Sequence, residues 1–452
     1  HLQKLFFDVC QVLWPPIVSR IDPSTLVPRH GPGITAEGAR GNHKYRWQFW
    51  NEDLELVFPF YPNGYSVSST EGKLADSVSF LPGSSMIPAK VYAVPKTLKA
   101  PRIIAAEPAC HIYVQQAIRS ALYGSIELGR ITIGHVNFRD QSVNQQQALH
   151  GSMNADNCTI DLSDASDRVL NDLAGFMFAS HPILWDAIQA CRSERAQLPS
   201  GDIVSLRKFA SMGNALTFPI ESMYFYTICI VACIVEDKQP VNLASVRKYG
   251  NEIFVYGDDL IVPKRYATAI LDHLQKYHCK VNYKKTFWTS KFRESCGVDA
   301  YDGKLVTPIY IRSVLPRNRR NASEIVSTLA TARQFFYKGF RQCAEYLYRK
   351  VESALGGRLP FVSDDSQALG RPSTDMIRIQ SMKWSNSLHH DLVREWVVEP
   401  AYRTDELAGY PALQKCLLHM ESSKTPFQDV KHLERSVRRG AVTLKRRWVD
   451  PL

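Results

Sequence analysis

The sequence predicts a chain that mixes helices with hairpin-joined strands, and three stretches carry that reading. Glu252–Tyr256 and Leu260–Val262 are apolar runs separated by Gly257-Asp258-Asp259, the pattern of two strands and a tight turn. Asn214–Val235 carries almost no charge, which predicts a long buried helix. Tyr266–Tyr277 places apolar residues at helical spacing and predicts an amphipathic helix.

The other elements follow in chain order. Pro15-Pro16, Gly31-Pro32-Gly33, Pro62-Asn63-Gly64 and Pro82-Gly83 punctuate the first ~90 residues. That predicts irregular chain without long helices, able to wrap around the rest. Cys158–Leu162 reads as a buried strand ending in a polar loop, and Leu170–Ala179 and Pro182–Cys191 as helices. Ala196–Phe209 reads as a hairpin about the turn Leu198–Asp202. Glu294–Val306 reads as another, about Asp302-Gly303. Beyond Asn321 the chain is predicted helical through Leu355, with Ser323 as N-cap. The remainder reads as helix and loop ending in a basic stretch with Arg438, Arg439, Lys445, Arg446 and Arg447.

Composition narrows the classes of function. At 452 residues the chain is long enough for about three domains. Its 55 Lys and Arg against 44 Asp and Glu give +11, which points to a polyanionic partner, nucleic acid first, or to an ordinary basic protein. Ten scattered cysteines without a CxxC pair argue against a disulfide framework or zinc ribbon and fit a reducing cytosol. The longest apolar run, Met223–Val235, falls short of the roughly 18–20 residues of a membrane span. No secretory signal opens the chain, and a start at His1 suggests that residues precede it.

The sharpest local feature is Tyr256-Gly257-Asp258-Asp259. Two adjacent carboxylates at a hairpin tip cannot both be buried, and magnesium takes one or two carboxylates from a protein. The alternative is a plain turn, since Asp and Gly favour turns. Asp161 ends the strand at Ile160, with Asp164 and Asp167 following; Asp161 reads as a second ligand, and Asp167 equally as a helix N-cap. Two strand-end acidic sites on a basic chain fit a two-metal phosphoryl-transfer centre. Ser211-Met212-Gly213-Asn214 precedes the buried helix, where Thr217 and Glu221 share a face. That face suits a ribose, or is a helix cap followed by core packing. Lys96, Lys99 and Arg102, framed by Pro95 and Pro101, would lie on one side of an extended segment, as a cationic rail for a triphosphate or as a solvated loop.

Together these residues resemble the RNA-dependent RNA polymerases, in particular the replicase catalytic (beta) subunit of the single-stranded RNA bacteriophages, the leviviruses. Val94-Pro95-Lys96, Lys99, Arg102 and Glu107-Pro108 resemble the family's basic motif F. Asp140-Gln141, Asn144-Gln145 and Gly151-Ser152 resemble its fingers signature. Ile160-Asp161-Leu162-Ser163 with Ala165-Ser166-Asp167 resembles motif A. Ser211–Asn214, Thr217-Phe218 and Glu221-Ser222 resemble motif B, and Tyr256–Asp259 motif C. Lys284–Phe287 and Phe292–Gly297 resemble motifs D and E. Against the polymerases of eukaryotic positive-strand viruses, five residues instead of four separate Asp161 from Asp167, and Glu221 stands where those enzymes carry Asn.

The resemblance implies an α+β right-hand polymerase with fingers, palm and thumb, the palm built on an antiparallel sheet. It divides the chain into an N-terminal region and fingers (1–155), a palm with an inserted fingers segment (156–310), and a thumb with a basic C-terminal region (311–452). It implies templated nucleotidyl transfer from NTPs. Asp161 and Asp258 would bind two Mg2+ ions, which Mn2+ could replace, with Asp259 assisting. Lys96, Lys99 and Arg102 would neutralise the triphosphate, and Asp167, Ser211, Gly213, Asn214, Thr217 and Glu221 would line the nucleotide site. Lys285, or its neighbour Lys284, would protonate the pyrophosphate. Implied partners are template and product RNA, the host elongation factors Tu and Ts and a ribosomal protein, in the bacterial cytoplasm and without a membrane. The alternatives are a reverse transcriptase-like polymerase and a catalytically inactive RNA-binding scaffold.

Overall fold

The computed structural model describes residues 2–66, 76–95, 101–372, 382–400, 409–422 and 442–450. The fold is α+β, as expected, and comprises two compact units. The first holds His1–Val94, Arg102–Thr307 and Glu406–Lys424; the second holds Pro95–Pro101, Pro308–Asp405 and Thr425–Leu452.

The chain opens with helix α1 (Leu2–Leu13), whose Phe6, Val9, Cys10 and Leu13 recur at helical spacing and are all buried. The expectation of no long helix in this region is therefore corrected. Pro15 and Pro16 open a separate short helical turn, Pro15–Val18, where proline is tolerated, so they bound α1 and do not prevent it. After short helical turns and a small parallel pair, Phe49–Asn51 with Ser79–Leu81, come strands β1 (Ala89–Pro95) and β2 (Pro101–Ala106), then helices α2 (Ala109–Glu127) and α3 (Ser142–Asn154) and strand β3 (Asn157–Ile160). The helix predicted at Leu170–Ala179 is a shorter one, Asn171–Phe176, and helix α4 (Pro182–Ala190) follows. Strands β4 (Arg195–Gln197) and β5 (Ile203–Ser205) form the predicted hairpin, in a sheet ordered β2-β1-β4-β5.

Helix α5 (Thr217–Glu236) is the long apolar helix, entered three residues later than predicted because Asn214–Leu216 form a turn. It is long and apolar enough to cross a membrane by length and composition, yet every residue from Ile220 to Ile234 is buried inside the first unit. Helix α1 packs on it. Strands β6 (Phe254–Tyr256) and β7 (Asp259–Pro263) follow, then helix α6 (Ala267–Lys276), which also packs on α5. The hairpin predicted at Glu294–Val306 is a three-stranded meander, β8 (Phe292–Ser295), β9 (Val298–Tyr301) and β10 (Lys304–Leu305). Besides the turn at Asp302-Gly303 it makes one at Cys296-Gly297, where both residues have positive φ, 48° and 76°.

The second unit contains helices α7 (Ala322–Tyr337) and α8 (Arg341–Leu355), packed together through Ile325, Leu329, Leu347 and Val351. Ser323 does not cap α7. It lies inside the helix, and the capping position is Asn321, whose side chain accepts from the backbone N–H of Arg317 and Asn318 at 3.2 and 3.3 Å. Among the described residues, the remainder predicted as helix and loop also holds a sheet, of β11 (Met382–Ser385), β12 (His390–Pro400) and β13 (Val442–Val449). Between β12 and β13 lies helix α9 (Tyr410–Ser422), part of the first unit, where Lys415 reaches the Asn42 side chain at 2.9 Å. Lys445 and Arg447 lie on β13 and pair with Glu399 of β12 at 2.8 and 2.6 Å. Arg438 and Arg439 lie outside the described residues. All ten cysteines are free thiols.

Candidate active site

Strand β7 is the middle of a three-stranded antiparallel sheet, β3-β7-β6. Its register pairs Asp259 with Tyr256 and Leu260 with Ile160. Carried one residue past Ile160, that register sets Asp161 opposite Asp259. Gly257 and Asp258 make the connecting turn, so the three acids sit together at one end of a rigid sheet. Asp258 is exposed at the tip, while Asp161 and Asp259 are half-buried.

Helix α5 fixes the tip. The Gly257 N–H donates to Ser222 Oγ at 3.1 Å, and Ser222 Oγ donates to the Phe218 carbonyl at 2.8 Å. Gly257 has φ +65°, and a Cβ there would lie 2.2 Å from a Phe218 ring carbon. Only glycine satisfies both the turn and the packing.

The acids act on one another electrostatically. Burial raises the Asp161 pKa; Asn282 and Lys285 oppose the rise, and Asp258 and Glu294 add to it. Burial, then Asp258, pushes Asp259 up to about 6, with Cys296 opposing and Asp161 adding. Carboxylates that raise one another hold uncompensated negative charge, which a divalent ion would relieve. Among the described residues no three His, Cys, Asp or Glu side chains form a ready-made metal cage. That still suits magnesium, which keeps waters and substrate phosphates in its shell and asks for one or two carboxylates.

Sequence reasoning missed Asn282. Its Nδ2 donates to Asp161 Oδ2 at 2.7 Å, and its backbone N–H donates to the Asp161 carbonyl at 2.9 Å. Thr286 Oγ1 accepts from the Asp161 N–H at 3.3 Å and donates to the Asn282 carbonyl at 2.9 Å. The only sequence signal was position, two residues before Lys284-Lys285. Cys296 was also missed; its thiol donates to Asp259 Oδ2 at 3.6 Å.

Lys285 is exposed and lies 3.2 Å from Glu294 Oε1. Partial burial pulls its pKa down, but Glu294, with Asp161 and Asp259, holds it above the usual lysine value. Asp167 is exposed, ion-paired with Lys208, and caps no helix, since the next one starts beyond Leu170. Ser211 accepts at its carbonyl from Thr217 Oγ1 at 2.9 Å. Gly213, at φ +120°, lies so close to β2 that a Cβ would come within 2.1 Å of the Ala105 carbonyl. Asn214 is buried, donating from Nδ2 to Glu107 Oε1 at 3.0 Å and accepting at Oδ1 from the Leu216 N–H at 2.8 Å. Thr217 and Glu221 are both buried on α5. Burial, with Asp258 and Asp167 adding, raises the Glu221 carboxyl well above its ordinary value. Arg102 stands exposed on β2, while Lys96 and Lys99 lie outside the described residues.

Three carboxylates thus stand together at the end of an antiparallel sheet whose hairpin tip is held by α5. The pattern of the RNA replicase beta-chain family matches residues 82–322, more than half of the sequence, and the chain belongs to that family. It is 33% identical over 223 residues to the RNA-directed RNA polymerase subunit beta of Qbeta virus (strain MX1), covering 49% of this chain and 35% of that protein. To the same subunit of Enterobacteria phage SP it is 35% identical over 224 residues, covering 49% and 36%. To the RNA-directed RNA polymerase beta chain of Escherichia phage MS2 it is 34% identical over 224 residues, covering 49% and 37%. The match therefore spans little more than a third of these relatives. A crystal structure of the RNA-dependent RNA polymerase of a human picorbirnavirus is similar at a TM-score of 0.40 and 11% identity, covering 59% of this chain and 55% of that one. That likeness is too loose to relate residues.

Proposed function

We propose that the chain carries the nucleotidyl-transfer centre of an RNA-directed RNA polymerase that copies a phage RNA genome from NTPs and releases pyrophosphate. The observation that carries this reading is the juxtaposition of Asp161 with the Asp258-Asp259 hairpin in a member of the RNA replicase beta-chain family. In this reading the β3-β7-β6 sheet belongs to the palm, residues 1–155 supply fingers, and residues from 311 on supply the thumb. Asp161 and Asp258 hold a magnesium pair and Asp259 assists. When bound, the ions neutralise charge on the attacking and leaving oxygens of an in-line displacement. Arg102, with Lys96 and Lys99, grips the triphosphate. Lys285, protonated at neutral pH, delivers a proton to the departing pyrophosphate. Asp167, Ser211, Gly213, Asn214, Thr217 and Glu221 shape the nucleotide site. We further propose that host elongation factors Tu and Ts and a ribosomal protein assist in the bacterial cytoplasm.

Primer-free extension on a defined RNA, with NTPs or dNTPs and with or without bacterial lysate, tests the reading. RNA product from NTPs that disappears in Asp258→Asn is expected, with a loss of at least ~10²–10³ in rate. DNA product from dNTPs would mean a reverse transcriptase. RNA binding without any product would mean an inactive scaffold. Full activity of the chain alone, unaltered by lysate, would exclude obligate host partners.

A further inference from the structure

Glu107 is a buried carboxylate to which this chemistry gives no role. It directly follows β2 and is 4% exposed. Oε1 accepts from Asn214 Nδ2 at 3.0 Å, Oε2 accepts from the Ser193 hydroxyl, and its backbone carbonyl accepts from the Ala36 N–H at 2.9 Å. Burying a carboxylate is costly unless its bonds do work that an apolar group could not. Here one of those bonds, from Asn214, ties Glu107 to the Ser211–Asn214 loop.

That loop is fixed from two sides. From β2, the Ala105 N–H donates to the Met212 carbonyl at 2.8 Å, Gly213 lies against the Ala105 backbone, and Glu107 grips Asn214. From α5, Thr217 Oγ1 donates to the Ser211 carbonyl at 2.9 Å. The part left exposed is Met212-Gly213. The strand that anchors it also carries Arg102.

We propose that Glu107 is a positioning residue for nucleotide addition, and that through Asn214 it latches the loop to β2 so that the Met212-Gly213 edge meets the incoming nucleotide in one conformation. This rests on the polymerase reading. Asn214, both of whose side-chain heteroatoms bond within the protein, then acts as the loop's internal fastener and not as a nucleotide contact.

The test is a kinetic cycle on the 452-residue chain with Glu107→Ala, Asn214→Ala, the double variant and Glu107→Gln, each also followed by denaturant unfolding. If the two residues act as one latch, each alanine lowers kcat/KM for NTP by about tenfold and the double loses no more than the worse single. Template affinity stays unchanged. Glu107→Gln stays within about threefold of wild type, because an amide oxygen still accepts from Asn214 while its NH2 donates to Ser193. Additive losses, or lowered stability with unaltered NTP kinetics, would overturn the proposal. Should Glu107→Ala fail to fold, Asn214→Ala and Glu107→Gln decide: normal NTP kinetics in folded Asn214→Ala, or a Glu107→Gln as impaired as Asn214→Ala, overturns it. A wild-type chain that makes no RNA would sink the polymerase reading instead, which separates the two failures.

Discussion

Asp161 does not stand alone: Asn282 bonds one of its carboxylate oxygens and also its backbone carbonyl. Partners of this kind orient metal ligands, and losing one typically weakens metal binding by about 10–100-fold. Asn282→Ala should therefore raise the Mg2+ or Mn2+ concentration needed for half-saturation in a calorimetric titration by about that factor, with the fold intact. An unaltered titration would mean that the contact only braces the loop. Glu107 makes a second residue-scale prediction, in stability. Burial pushes its carboxyl up to about 7 from 4.5, opposed by Ser193, Asn214 and Arg192. The folded chain then holds a proton that the unfolded chain has released between those pH values. The Glu107 contribution is thus fully present below about 4.5 and is lost as pH rises through about 7, by on the order of 3 kcal/mol. Denaturant unfolding from pH 4.5 to 8 should show this decline, and Glu107→Gln should flatten it. Equal slopes in the two proteins would assign the decline to other groups.

Among elements, the β6–β7 hairpin depends on α5 for its geometry, since Gly257 meets the Phe218 ring and bonds Ser222. Gly257→Ala adds a Cβ where the ring lies and forces a non-glycine residue to positive φ, a cost of roughly 1–2 kcal/mol before any repacking. Because the turn carries Asp258, nucleotide addition should fall at least tenfold, with a drop of only a few degrees in the unfolding midpoint; normal activity would show that the tip tolerates displacement. This hairpin and α5 were legible in the sequence because their signals are local: apolar runs, a Gly-Asp turn, a stretch almost free of charge. Strand β3 and the pairing partners β4 and β5 were legible for the same reason. The sheet of β11, β12 and β13 was not, because Val442–Val449 finds its partner His390–Pro400 across a long separation and reads in isolation as a basic segment. Its charges only make sense once Glu399 is opposite. In the candidate site, the acids and the glycine loop could be read from sequence. The grip of Asn282 on Asp161 and of Glu107 on Asn214 could not, since each joins residues about a hundred positions apart and only folding brings them together.

At the scale of the whole molecule, α1 covers the helix on which the site is built. Phe6, Val9, Cys10, Leu13 and Trp14 are all fully buried, and Phe6 lies against the rings of Tyr224 and Tyr277 at 5.4 and 5.7 Å. Trp14 Nε1 donates to Thr227 Oγ1 on α5 at 3.0 Å, and the Tyr277 hydroxyl donates to the Leu2 carbonyl at 2.8 Å. Deleting residues 1–21 would also remove the cost of ordering them, so the lost contacts alone do not decide the outcome. What decides is the face left behind. One side of a helix apolar all round would meet water, at about 25 cal/mol for each Å² of apolar surface bared. Against a total stability of typically ~5–15 kcal/mol, a bared helix face is a large fraction. It is also a contiguous apolar patch of the kind that drives aggregation. The truncated chain should bind a hydrophobic dye and lose cooperative unfolding. Trp14→Phe, which keeps an aromatic ring but loses part of the bulk and one hydrogen bond, should cost only about 2 kcal/mol, because Thr227 still donates to the Met223 carbonyl. Soluble yield and thermal unfolding of the two variants provide the measurement. A truncated chain that unfolds cooperatively within about 3 °C of the full one would mean that α5 is secured without α1, and that α1 contributes nothing to holding the Asp258-Asp259 hairpin in place.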